Sequence, residues 1–210
     1  MTRTGTGPLS RSELKEWYAV PGGSADTWVR ASFITSIDGR ATGPDGVSGG
    51  LNEGSAGDKA VFEHLRDWAD VVVVGAGTIR EEGYGPLPGK ALAIVSRSGN
   101  LPDKVRETGP GDGEVVLIGG HGEEVTPQQV MAALRQRGWR HVVLEGGPRL
   151  FSAWVEEGLL DELCVTIRPV LVGGDGPLLL PTTTRLAALT GAASHVLVWD
   201  GDLLVRSRLS

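Results

Sequence analysis

Between Gly57 and Ala69 the apolar positions fall at 61, 62, 65 and 69, the spacing of one helical face, and the segment runs straight into Val71-Val72-Val73-Val74. A helical stripe followed by an unbroken apolar run predicts a helix feeding a strand buried on both faces and therefore central in its sheet. The alternation recurs along the chain. Strands are predicted over Trp28 to Thr35, Leu92 to Val95, Val115 to Ile118, His141 to Leu144 and Leu163 to Val170, with helices over 127–137 and 148–157. Ser10 followed by Glu13 reads as a capping box, so a short helix is expected through Trp17, stopped before Pro21. The C-terminal pattern differs: Ser194 to Trp199 and Leu203 to Leu209 flank Asp200-Gly201-Asp202, and Asp-Gly between two strand-like runs predicts a hairpin. The expected architecture is a mixed, mostly parallel α/β sheet closed by an antiparallel hairpin. It forms one domain over 28–210, preceded by an extension over 1–27 that carries the short helix.

Composition narrows the setting. With 26 acidic and 20 basic residues the formal charge is −6, which gives no electrostatic reason to expect a nucleic-acid partner. The single cysteine, Cys164, excludes an intramolecular disulfide. No apolar run approaches the roughly 18 residues of a membrane span, and the first 20 residues contain no continuous apolar segment, so no membrane partner and a cytoplasmic location are expected. Thirty-two glycines imply many turns or close backbone approaches.

Several glycine motifs suggest chemistry and fail on context. Gly75-Ala76-Gly77 opens like a dinucleotide fingerprint, but its last glycine would fall on Arg80. The Gly85 to Lys90 stretch is one residue short of a phosphate-binding P-loop and lacks the following hydroxyl residue. Gly46-Val47-Ser48-Gly49-Gly50 matches the nucleophile motif of serine hydrolases, yet Gly43-Pro44-Asp45 stands where a strand is required. Four scattered histidines, 64, 121, 141 and 195, have no zinc-ligand spacing, so no metal is expected; His64 and His141 are expected at the ends of regular elements. Three strand ends remain. The Gly75 to Thr78 turn and Glu145-Gly146-Gly147-Pro148-Arg149-Leu150 place bare backbone after a strand, the second at a predicted helix N-terminus suited to an anion. Ser96 and Arg97 offer a hydroxyl and a guanidinium suited to a phosphate monoester. Each alone equally suits a plain turn or cap. Together they suit an extended dinucleotide.

Ala31-Ser32-Phe33-Ile34-Thr35-Ser36-Ile37-Asp38-Gly39-Arg40, the helix ending Leu65-Arg66, Val74-Gly75-Ala76-Gly77-Thr78, Glu145-Gly146-Gly147-Pro148, and Gly158 to Leu163 through Pro169 to Gly174 together resemble the reductase domain of riboflavin biosynthesis, in the family's order from about residue 28 to residue 181. The resemblance implies a dihydrofolate-reductase-like, three-layer α/β/α fold, NADPH as cofactor and a homodimer paired through the apolar run from Leu163 to Val172 and Leu178-Leu179-Leu180. It implies a stand-alone reductase without the zinc-dependent deaminase domain that often precedes it. By the same resemblance Gly75, Gly77 and Thr78 meet the cofactor phosphates, Ser96 and Arg97 its 2′-phosphate, and Gly146, Gly147, Pro148, Arg149, Leu150 and Phe151 its pyrophosphate. Asp38 and Gly39 lie by the nicotinamide, Ser48, Arg66 and Glu82 face the substrate, and Glu145 stands between substrate and cofactor; Asp38, Glu145 or water supplies the proton. Arg66 beside Asp67 equally suits a solvated helix face, and Asp38-Gly39 a simple turn. The substrate side departs from the family: Gly50 stands where a tryptophan is usual, and Glu81-Glu82-Gly83-Tyr84-Gly85-Pro86 replaces an Asp-Asn-Pro-like stretch and a phosphate-binding arginine, leaving Lys90 as the nearest cation. The expected activity is hydride transfer to a C=N or C=O of a pyrimidine ribosylamine phosphate or a relative. Reduction of a pterin such as dihydrofolate, or NADPH binding without catalysis, are the alternatives.

Overall fold

The computed structural model of the chain describes residues 2–21, 27–44, 46–186 and 188–209. Their strands are β1 (Arg3–Thr6), β2 (Trp28–Ser36), β3 (Val71–Gly75), β4 (Ala91–Ser96), β5 (Val115–Gly119), β6 (His141–Gly146), β7 (Glu162–Arg168), β8 (Gly191–Trp199) and β9 (Asp202–Leu209). The helices are α1 (Arg11–Trp17), α2 (Gly49–Asn52), α3 (Ala56–Trp68), α4 (Ala76–Glu82), α5 (Pro127–Gln136) and α6 (Pro148–Glu156). All strands join one sheet in the order β1-β8-β9-β7-β2-β6-β3-β4-β5. Pairing is parallel from β7 through β5 and between β1 and β8, and antiparallel only where β9 meets β7 and β8.

The valine run explains the interior of the sheet. Val71 to Val74 are fully buried; Val71 and Val73 pack in one core cluster with α5 and α6, Val72 and Val74 in another with α4. A strand with helices on both faces has no solvent side, so every position is apolar. The stripe of α3 buries Val61 and Leu65 against Val143, Cys164 and Leu197, in a cluster shared with Leu14, Trp17 and Tyr18 at α1. The Ser10–Glu13 capping box starts α1 as expected. At the hairpin both Asp200 (φ 51°) and Gly201 (φ 88°) are left-handed, the requirement of a two-residue turn that matches strand twist.

The structure departs from the sequence expectations in four places. Residues 3–6 form a strand that pairs with β8. An added Cβ on Gly7, just beyond it, would lie 2.5 Å from the Trp199 ring, so this end is held by close backbone approach, which leaves no apolar pattern to read. His64 sits inside α3, not at its end, with its ring 5.8 Å from Tyr18. The stretch after Gly75, expected as a turn, is helix α4 from its first residue, with Thr78 and Ile79 buried. The apolar run proposed for pairing is mostly consumed within the chain: β7 lies between β2 and β9, and Leu179 and Leu180 pack on the core. Of the run, Val170 (38 % exposed) and Leu171 (75 %) remain at the surface.

The layer beneath α1 also holds buried charge beside its apolar cluster. Glu162, fully buried, accepts from Arg30 Nε at 2.7 Å and from Arg206 Nε at 3.0 Å, and Arg206 also donates to the carbonyls of Trp17 (2.7 Å) and Ala19 (2.9 Å). The two guanidiniums thereby satisfy both the carboxylate and the open carbonyl end of α1. Cys164, 3 % exposed, lies in this layer, and burial pushes its thiol up to about 12.

Candidate active site

The C-terminal ends of β4, β3 and β6 lie side by side, with Gly75 opposite Val95 and Val74 opposite Gly146. This is the edge at which open α/β sheets present their ligands. Beyond β3, Gly75 is itself the N-cap of α4; beyond β6, a cis Gly146–Gly147 peptide leads into α6, with Gly147 as N-cap and Pro148 in the first turn. Neither glycine offers a side-chain cap, so the first-turn amides of Arg149 and Leu150 are left as donors. Thr78 reaches across from α4: an added Cβ on Gly147 would lie 3.0 Å from its Oγ1, and one on Gly146 (φ +151°) 3.3 Å. Gly77 differs. A Cβ there would meet nothing within 4 Å, and its φ is not positive, so neither packing nor backbone conformation demands glycine.

Glu145, one residue before the glycine pair, has a side chain only 1 % exposed. Arg66, from the last turn of α3, grips it with two bonds, Nε to Oε1 at 2.7 Å and Nη2 to Oε2 at 2.6 Å, while Tyr84 donates its hydroxyl to Oε2 at 3.0 Å. The bidentate fork fixes both the position and the plane of the carboxylate. Arg66 in turn lies over the Phe62 ring, 4.1 Å from its centroid. Tyr84 is pushed well above its usual range, by burial first and then by the Glu145 charge, and so remains a neutral donor. Ser48 donates to Glu82 Oε1 at 2.6 Å, tying the loop before α2 to the end of α4. The C-terminal end of α2 is held by Arg168, which bonds the carbonyls of Leu51 (2.8 Å) and Glu53 (2.9 Å) and pairs with Asp202 Oδ1 at 2.9 Å.

Most of the residues singled out in the sequence meet at this edge. Gly75, Gly77, Thr78, Gly146, Gly147, Pro148, Arg149 and Leu150 surround the two helix starts, and Ser48, Arg66, Glu82 and Glu145 form the polar group beside them. Others occupy different places. Phe151 is 4 % exposed, its ring packs 4.8 Å from Phe33, and its N–H is bonded to Gly147 O, so it has neither surface nor amide to give a ligand. Asp38 accepts from Ser36 Oγ (2.6 Å), Val172 N (3.0 Å) and Gly173 N (2.8 Å). These bonds, Ser36 first, hold its carboxyl well below the usual range, which suits it to fastening the loop after β7 and leaves no proton to donate near neutrality. Gly39 (φ +81°) completes the same turn, its N–H bonded to Ser36 O. Ser96 is buried with Oγ accepting from Gly99 N at 3.0 Å; Arg97 is exposed. Lys90 lies at the opposite edge of the sheet, its Nζ on the carbonyls of Asp67 and Ala69 at the end of α3, so it does not serve the site. Tyr84 was missed by the sequence reading, because its partner is 61 residues away.

The layered sheet, the hairpin and the glycine edge define a dihydrofolate-reductase-like α/β protein. Dihydrofolate reductase from Enterococcus faecalis, complexed with NADP(H), superposes at a TM-score of 0.56 with 14% identity, over 87% of this chain and 96% of that one. Closer in form is a pyrimidine reductase-like protein from Corynebacterium diphtheriae, at a TM-score of 0.73 and 22% identity over 96% of this chain and 99% of that one. The model of the RibD C-terminal domain family matches residues 27–197, and the chain belongs to that family. A curated relative, the riboflavin biosynthesis protein RibD of Mycobacterium tuberculosis, is 29% identical over 157 residues, 70% of this chain; the match spans 43% of that relative's own length.

Proposed function

We propose that the chain is an NADPH-dependent reductase of the riboflavin-pathway pyrimidine type, acting on a pyrimidine ribosylamine or a close relative. One observation carries the reading: a buried carboxylate, Glu145, fixed by Arg66 and Tyr84 immediately before a bare glycine pair that opens α6. The cofactor fits the chain's own features. Open space before Gly77, the uncapped start of α6 and the Thr78 hydroxyl beside Gly147 make a cradle of amides and small groups for a pyrophosphate. Exposed Arg97 beside Ser96 supplies a cation for a 2′-phosphate. When bound, the dinucleotide supplies the hydride. The protein aligns the acceptor carbon and, through the Arg66 fork, holds the Glu145 carboxylate in one plane, where it can orient the water that brings a proton to the acceptor's heteroatom.

The test is oxidation of NADPH with the pyrimidine ribosylamine phosphate and with dihydrofolate side by side, followed by the same assay on Glu145→Ala. Turnover of the pyrimidine, lost in the variant, supports the reading; cofactor binding without oxidation of either compound leaves a non-catalytic nucleotide-binding protein. NADPH should bind at least about tenfold more tightly than NADH, roughly 1.4 kcal/mol, and Arg97→Ala should erase most of that gap.

A cytoplasmic homodimer belongs to the same proposal. Val170 and Leu171 are exposed next to Ile37 (60 % exposed), whose N–H bonds Val170 O, and a contiguous apolar patch of this kind favours self-association. Light scattering at micromolar concentration should give twice the 22.1 kDa chain mass; a single-chain mass at every concentration refutes pairing.

A further inference from the structure

Helix α2 is a single turn that its own sequence does little to stabilise. It opens on Gly49-Gly50, buries one side chain, Leu51, and is followed by left-handed Gly54 (φ +75°), so neither helix propensity nor an apolar face holds it together. Its N-cap residue does not help: Ser48 makes no capping bond and spends its hydroxyl on Glu82 at 2.6 Å. Glu82 is pushed above the usual carboxylate range, by partial desolvation first and, among charges, by Glu145, which places Ser48 beside the Glu145–Arg66 pair.

The turn is held from its other end. Arg168 Nη1 donates to the carbonyls of Leu51 and Glu53, groups that the end of a helix leaves open. Just beyond them Ser55, the N-cap of α3, gives its hydroxyl to Asp202, and Asp202 pairs with Arg168. Arg168 closes β7 and Asp202 opens β9, in neighbouring strands where Ile167 faces Leu203, so this end is fixed to the sheet itself. The span from Ser48 to Ser55 is therefore a bridge, anchored in the sheet at Arg168 and meeting the site at Ser48. The one bond to Glu82 cannot order the whole span against its backbone entropy, so the anchor decides where Ser48 sits.

We infer that Arg168 is a positioning residue for the acceptor: acting through α2, it sets where Ser48 meets Glu82 and so shapes the substrate side of the site without touching the ligand. The inference rests on reading Ser48 and Glu82 as the substrate side of the proposed reductase. The glycine starts of α4 and α6, proposed for the cofactor, share no residue with the bridge, so its loss should weaken the acceptor and spare the dinucleotide.

The test compares wild-type protein with Arg168→Met, Ser48→Ala and the two combined. Measured are amide exchange over 46–54, NADP⁺ affinity, and KM and kcat with the pyrimidine ribosylamine phosphate and with dihydrofolate. Arg168→Met should speed that exchange at least about tenfold and raise acceptor KM at least about tenfold, with kcat and NADP⁺ affinity within about threefold of wild type. The combined variant should raise KM no further than Arg168→Met alone, because both changes act on one route. Because Arg168→Met strands the buried Asp202 carboxylate, a companion carrying Asp202→Asn as well removes that charge, and whichever melts cooperatively serves the comparison. Faster exchange with an unchanged KM makes the anchor structural only, and a raised KM without faster exchange makes Arg168 a direct ligand contact. Either result overturns the inference, as do losses that add in the combined variant. If neither compound is oxidised, the reductase reading fails, and calorimetric binding of each to the NADP⁺-loaded protein replaces KM in the same comparison; binding of neither defeats both.

Discussion

Arg66 holds Glu145 where water cannot, and that single pairing sets what each partner is worth. Removing the guanidinium strands a side chain that is 1 % exposed, whereas removing the carboxylate frees an arginine that is 25 % exposed and can rehydrate. Arg66→Met should therefore cost about 2–4 kcal/mol of stability and Tyr84→Phe about 1 kcal/mol, both read as shifts in the urea midpoint at constant slope. If Arg66→Met is neutral, Glu145 is solvated through a route that the structure does not contain. Two other residues make stability depend on pH with opposite signs. Asp58 is pushed up to about 6, by burial first and, among charges, by Asp202, so the folded state holds its proton more tightly than the unfolded chain; its contribution is complete below about pH 4 and is lost as pH rises through 6. His195 is pushed down to about 4 by burial first and then by Arg206, so its contribution is complete above about pH 6.5 and is lost as pH falls through 4. The wild-type profile between these limits should be flatter than that of either variant. Asp58→Asn should raise the melting temperature at pH 7.5 with the gap closing toward pH 4, and His195→Phe should do the reverse.

At the scale of elements, α4 separates stability from binding. Gly77 sits in the first turn of a helix with an ordinary φ and empty space before it, so Gly77→Ala should gain about 0.5–1 kcal/mol of stability, because alanine loses less backbone freedom on folding. The same methyl would occupy the space proposed for the cofactor phosphates, so NADPH affinity should fall at least tenfold in titration while the melting temperature rises. Both quantities moving upward together would assign the space to solvent. Gly147 is a poorer probe, because its added Cβ would already press on Thr78 Oγ1 at 3.0 Å. Elements were legible where the signal is local: the valine run, the α3 stripe, the Ser10 capping box and the Asp200-Gly201 turn each declare themselves within a few residues. Those whose cause lies elsewhere were not. Arg3-Thr4-Gly5-Thr6 becomes a strand only because β8 and two tryptophans lie beside it, and the glycine-rich start of α4 hid a helix whose Ile79 is buried by Leu101 and Val105. Arg66 could not be told from a solvated helix face until Glu145, 79 residues on, was placed against it, and Tyr84 gave no signal at all.

The whole molecule is one continuous sheet whose two edges, β1 and β5, come from opposite parts of the topology, so residues near the N-terminus close the side opened by the C-terminal hairpin. Loss of β1 would uncover β8 and the faces of Trp17 and Trp199 together, and the chain should open as a single unit once that side is breached. Cys164 turns this into a measurable clock. Its thiol is the only one in the chain, lies between the buried arginines and the helix layer, and is raised to about 12, so in the closed molecule it is both out of reach and almost entirely uncharged. A colourless disulfide reagent at pH 8 can therefore react only through molecules that have opened. The modification rate, divided by the rate for an unfolded peptide, reports the open fraction directly, and it should rise in step with urea along the slope of global unfolding. Fast labelling at zero denaturant would mean that the α1 layer lifts off independently of the sheet; slow labelling would let a mixture of ligands be ranked by how strongly each keeps the molecule shut, with no need to see a reaction.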